Sequence, residues 1–122
     1  NDKWAPGYWW RGGVRRDVGD EAGAEADFRM AIQLTPDAPF PRESLARLLL
    51  ETGGDLDEAR AHAESAVRKT PSPQHRATLA LVYYALGLVH DATREIERAY
   101  ISAPELERVV GVRRRIRAGG TP

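Results

Sequence analysis

Residues 24–36 read Ala-Glu-Ala-Asp-Phe-Arg-Met-Ala-Ile-Gln-Leu-Thr-Pro. Ala24, Phe28 and Ala31 recur at i, i+4 and i+7 and share one face of a helix. Pro36 stops it, because proline donates no backbone hydrogen bond and restricts the residue before it. The same frame returns as Ala59, Ala63, Ala66 and Pro71, and again as Ala92, Ile96, Ala99 and Pro104.

The three prolines stand 35 and 33 residues apart. The extra residue falls at Gly53-Gly54 and the missing one at Ser72-Pro73, both turns, where a change of length costs little. Each unit also carries a small residue in the helix before the quoted one: Gly12, Ala46 and Ala80. Two more stand in the second helix: Ala24 and Ala31, Ala59 and Ala66, Ala92 and Ala99. Small residues at fixed positions let two antiparallel helices approach closely, with larger neighbours filling the seams. A period of this length is the mark of stacked supersecondary units.

Read in order, the pattern predicts seven helices. The first spans about residues 8–18, after a frayed lead-in. It is the least regular, since Gly12 and Gly13 each cost about 1 kcal/mol against alanine. The others cover about 21–34, 41–51, 56–69, 73–86, 89–101 and 105–117. Asp20, Asp55 and Ser72 are N-cap candidates, with Glu58 completing a capping-box-like pair and Ser102 and Glu105 framing another.

Composition agrees. The 122 residues include 30% charged residues and carry a formal net charge of zero, which argues against a generic nucleic-acid or membrane binder. Cysteine is absent, which removes disulfides and thiolate metal sites. No apolar run approaches the roughly 18 residues that span a bilayer, and no signal peptide is recognised. A soluble chain is expected, with the cytoplasm slightly favoured. The start at Asn1 suggests a piece of a longer protein.

These residues resemble the tetratricopeptide repeat (TPR) family over about residues 6–104. The nine small residues, the turn glycines Gly19, Gly54 and Gly87, and the three prolines carry the resemblance. Larger slots hold Tyr8, Phe28, Leu45, Leu49, Leu79, Tyr83 and Ile96. The implied fold is all-α: a right-handed α-α superhelix (solenoid) of three TPR hairpins, about 5–38, 39–72 and 73–104. A capping helix at 105–118 and a loose tail at 119–122 follow. Leu106, Val109, Val110 and Ile116 would lie on helix six with Arg113, Arg114, Arg115 and Arg117 outward; docking of this segment on a partner is the alternative. Arg11 and Arg15 replace the usual large apolar residues, and Ala63 is small where an aromatic is common. Arg11 with Asp27 resembles a family variant and leads us to expect an ion pair within about 4 Å, against two separately solvated charges.

The resemblance implies a non-catalytic interaction module that takes a peptide or helix of another protein on its concave face. That face would present Trp9, Arg16, Phe40, Glu43, Arg47, Leu50, Gln74, Ala77, Leu81 and Tyr84. Aromatic residues and arginine are favoured anchors at such surfaces, although Leu50, Leu81 and Tyr84 also fit an interhelical core. Some TPR proteins hold acidic chaperone C-termini with a clamp of lysine, asparagine and arginine. The equivalent slots here include Trp9, Gly13, Ser44, Gln74 and Thr78, of which only Gln74 offers an amide, so that clamp is not expected. Trp4, Trp9 and Trp10 either fill the open end of the first hairpin or anchor a partner. A second reading is a scaffold that self-assembles, as a homo-oligomer, through this Trp-rich end or the last helix. Arg113–Arg117 is too short and too lacking in aromatics to argue for nucleic acid. His62, His75 and His90 are scattered and read as surface or cap residues; no cofactor, metal or catalytic arrangement is expected.

Overall fold

The computed structural model describes residues 2–119, so the expected loose tail lies outside the described residues after position 119. A single 3-10 turn, Asp2–Trp4, leads into seven α-helices. They are α1 (Ala5–Asp17), α2 (Glu21–Leu34), α3 (Pro39–Thr52), α4 (Leu56–Lys69), α5 (Pro73–Ala85), α6 (Val89–Ser102) and α7 (Glu107–Ala118). No strand occurs among the described residues. Three antiparallel pairs, α1–α2, α3–α4 and α5–α6, stack in sequence, and α7 closes the far end against both α5 and α6.

Start and stop signals act locally. Asp20 accepts from the Gly23 amide at 2.9 Å, and Ser72 accepts from the His75 amide at 3.2 Å. Asp55 accepts from both Asp57 and Glu58 amides. Proline near the start suits α1, α3 and α5, since the first-turn amides have no partner inside the helix. That is why α1 begins at Ala5, ahead of the expected residue 8: Pro6 belongs to the first turn. Gly53, with φ of 70°, takes the left-handed turn after α3, as Gly19 and Gly87 do after α1 and α5. Gly54, expected in that role, instead follows it.

The small residues set the helix spacing. Ala24, Ala31, Ala59, Ala66, Ala92 and Ala99 are fully buried. Phe28, Leu45 and Leu48 fill the seam between the first two hairpins, and Leu79 and Val82 carry that core into the third. A second cluster joins Ala80, Tyr84 and Ile96 to Val109, Val112 and Ile116 of α7.

Inside the first hairpin, Arg11 replaces apolar contact with a two-pronged bond to Asp27, at 2.9 Å from Nε and 2.8 Å from Nη2. The expected ion pair is therefore present. Arg15 adds a third contact at 3.2 Å. Asp27 is 3% exposed. The hydrogen bond from Arg11 holds its carboxyl below the usual range, outweighing the opposing effect of burial.

Four expectations are corrected. The buried face of α7 is Val109, Val112 and Ile116, with Leu106 and Val110 only half-buried. Arg113 does not point outward: its Nε donates to Glu97 at 2.8 Å and its guanidinium lies 3.8 Å from the centre of the Tyr100 ring. Two favourable contacts on α6 outweigh its hydration. The capping box at Ser102 and Glu105 is also absent, since Ser102 Oγ donates back to the Ala99 carbonyl and α7 starts two residues later. His75, expected at a surface or cap, is buried.

Candidate functional site

The inner helices α1, α3 and α5 form one side of the stack, and their side chains meet there in two adjoining depressions. The first has a volume of about 480 Å³ and is lined by Arg16, Arg47, Leu50, Glu51, Leu81 and Tyr84, with Arg108 and Arg115 from α7. The second is bounded by Trp9, Phe40, Glu43, Ser44, Arg47, Gln74, His75 and again Arg108. Nine of the ten residues expected on this face thus line it. Ala77 is the exception, fully buried beneath it.

The second depression is built on an aromatic row crossing all three hairpins. The Trp9 ring lies 5.9 Å from Phe40, and Phe40 meets His75 edge-on at 5.3 Å. Trp9 Nε1 donates to Ser44 Oγ at 2.9 Å. His75 Nδ1 donates to the Thr70 carbonyl at 2.9 Å, which fixes the proton on that nitrogen. These bonds hold the rings at set angles, so their accessible edges are ordered before any ligand arrives.

Charge is concentrated where the two depressions meet. Glu43, 7% exposed, accepts from Thr78 Oγ1 at 2.6 Å. Arg108 Nη2 donates in turn to Thr78 Oγ1, giving a chain from guanidinium through hydroxyl to carboxylate. Arg47 Nε lies 3.8 Å from the same carboxylate and Arg108 Nη2 lies 4.0 Å from it. Two guanidinium groups therefore share one buried carboxylate. The Nε atoms of both Arg47 and Arg108 are buried without a hydrogen-bond partner. Burial, and then the neighbouring Arg47, pushes the Arg108 guanidinium below its ordinary pKa. At the rim, Arg16 grips Glu51 through two bonds of 2.8 and 2.6 Å, which lower the Glu51 carboxyl.

Arg108 and Arg115 are the site residues missed in the sequence. With α7 treated as a cap, Arg115 was expected to face outward and Arg108 had no assigned role. The signal was their spacing: residues 108, 112 and 115 follow i, i+4, i+7, so the arginines flank buried Val112 on the side facing α5.

The backbone decides the fold by comparison with solved structures. The first TPR of Spaghetti (RPAP3), bound to the HSP90 peptide SRMEEVD, superposes with a TM-score of 0.86 over 97% of this chain and 94% of its own, at 16% identity. The chain has the tetratricopeptide repeat fold. The Arabidopsis OM64 TPR domain gives 0.86 over 98% of this chain and all of its own, at 13% identity. The second TPR domain of human RPAP3, in complex with the HSP70 peptide SGPTIEEVD, gives 0.82 over 94% and 96%, at 17% identity. Neither protein-family models nor the curated proteins give a sequence match. The likeness lies in how the helices stack, a property that these low identities leave intact.

Among the described residues, no three His, Asp or Glu side chains are grouped to hold a metal ion, and no helix is long and apolar enough to cross a membrane.

Proposed function

We propose that this TPR domain is a non-catalytic interaction module that binds a partner protein's peptide or helix along α1, α3 and α5. The contact set is Trp9, Arg16, Phe40, Glu43, Arg47, Leu50, Gln74, Leu81 and Tyr84, over the floor that Ala77 supports, with Arg108 and Arg115 added from α7. Leu50, Leu81 and Tyr84 supply apolar contact, and the aromatic row from Trp9 to His75 supplies ordered edges for a second anchor.

The observation that carries this reading is the pair of arginines over a single buried carboxylate. Two cations sharing one anion, each with an unmet Nε donor, leave a demand for a negative group at that point. The favoured ligand thus carries an Asp, Glu or terminal carboxylate beside apolar side chains. The acidic peptides held by the two RPAP3 domains support this class of ligand. Here Arg47 and Arg108 would take the charge, because the slots of the family's usual clamp hold Trp9, Gly13, Ser44, Gln74 and Thr78. Self-assembly through the last helix has no comparable support, since Val109, Val112 and Ile116 are already buried within the chain.

The test is fluorescence anisotropy with a panel of acidic, apolar-flanked peptides. Arg47→Ala should weaken binding about 10- to 100-fold, the range expected for a charge-assisted hydrogen bond. The double variant Phe40→Ala, Leu50→Ser should abolish binding while helical circular dichroism persists. Undiminished binding by that folded variant would remove the groove assignment.

A further inference from the structure

The three inner helices carry matching edge positions 34 residues apart: Trp10, Ser44 and Thr78 on one turn, Val14, Leu48 and Val82 on the next. In the second and third hairpins these positions are interior. Ser44 and Thr78 are 7% and 0% exposed, and Leu48 and Val82 are 1% and 0% exposed. The preceding hairpin covers them each time. Trp9 reaches across to Ser44, and Glu43, its counterpart one repeat later, reaches across to Thr78. Leu48 joins the cluster of Ala24 and Phe28, and Val82 joins that of Ala59 and Ala63.

In α1 the same two positions are bare. Trp10 is 72% exposed and Val14 is 48% exposed. The other end of the stack differs: α7 lays Val109, Val112 and Ile116 over α6. One end is closed by an apolar helix, while the other shows the surface that this chain twice buries between its own repeats.

We propose that the α1 edge formed by Trp10 and Val14 is a stacking surface for one further helical hairpin of the same repeat type, seated ahead of Ala5 in the register that α3 takes on the first hairpin. The incoming inner helix needs a small residue at the position of Trp9 and Glu43, because Trp10 stands where Ser44 and Thr78 occupy the internal interfaces, and the incoming outer helix needs small residues over Val14. The row Ala59, Ala63 and Ala66 shows the kind of face required. This inference does not depend on the groove reading: the edge faces along the stack, and its occupant is a folded hairpin.

The test extends the chain. A copy of residues 39–72 is joined directly before Ala5, where Ala5 takes the place that Pro73 has in the native order. A second extension copies residues 73–104. Hydrogen exchange should show protected amides in an added hairpin, and tryptophan emission should shift to shorter wavelength. Val14→Asp should lower the melting temperature by roughly 5 °C or more in the extended chain, but by only about 1–2 °C in the 122-residue chain. Two unprotected extensions on an intact native core, or equal Val14→Asp shifts in both backgrounds, would overturn the proposal. So would a dimer of the 122-residue chain, seen by sedimentation and lost in Val14→Asp, because the occupant would then be a second copy.

Discussion

Gly12 and Gly13 are neighbours in α1, and alanine at the two positions should have opposite effects. Both substitutions gain about 1 kcal/mol of helix propensity. A Cβ at Gly13 meets nothing within 4 Å, so Gly13→Ala should keep most of that gain, about 0.5–1 kcal/mol. A Cβ at Gly12 would stand 2.7 Å from Phe28 Cε1, 2.8 Å from Cδ1 and 3.2 Å from Asp27 Cβ. Ordinary carbon contacts lie at about 3.5–4.0 Å, so the ring would have to retreat by close to an ångström. Phe28 is 2% exposed and wedged in the core, and Asp27 is held by two arginines. Overpacking of this kind costs about 1–3 kcal/mol, which exceeds the propensity gain. Gly12→Ala should therefore be destabilising by about 1 kcal/mol net, with the two variants separated by roughly 2 kcal/mol. Urea unfolding followed by circular dichroism measures this. Equal shifts of the same sign would refute the claim that the bare Cα of Gly12 makes the space Phe28 occupies.

Asp27→Ala removes the shared acceptor of Arg11 and Arg15 and should cost about 2 kcal/mol at neutral pH in the same urea experiment. Because the folded carboxyl titrates below the unfolded one, this contribution is complete above about pH 5. It should fade as pH falls through the folded pKa, so acid titration of the variant should show a correspondingly smaller loss. Tyr83 is pushed up to about 12, by burial first and then by its 2.7 Å hydrogen bond to Glu64. A group that stays neutral longer in the folded state stabilises it below about pH 10 and loses that effect as pH rises toward 12. Absorbance titration should show a late phase that is missing in Tyr83→Phe.

The repeat was legible because its determinants are local: the Ala24 frame, its two copies and the proline stops say which helices pair and which faces meet. The Arg11–Asp27 pair was legible only through the resemblance to a family variant, because the residues alone fit two separately solvated charges equally well. Contacts made by long side chains across hairpins were not. Arg113 could lie on Tyr100 or extend into water with the same sequence period, and only the seating of α7 decides. Arg108 enters the groove for the same reason: it flanks the buried stripe, and a flanking residue turns either way. The burial of His75 was not legible because its partner is the backbone carbonyl of Thr70, which leaves no mark in residue type.

The central claim is that the face of α1, α3 and α5 binds an acidic partner segment. Backbone amide chemical shifts, followed while such a peptide is added, test it most directly. The account predicts shifts concentrated at Trp9, Arg47, Leu81, Tyr84 and Arg108, reduced in Arg47→Ala. Shifts confined to the outer helices α2, α4 and α6 would contradict it.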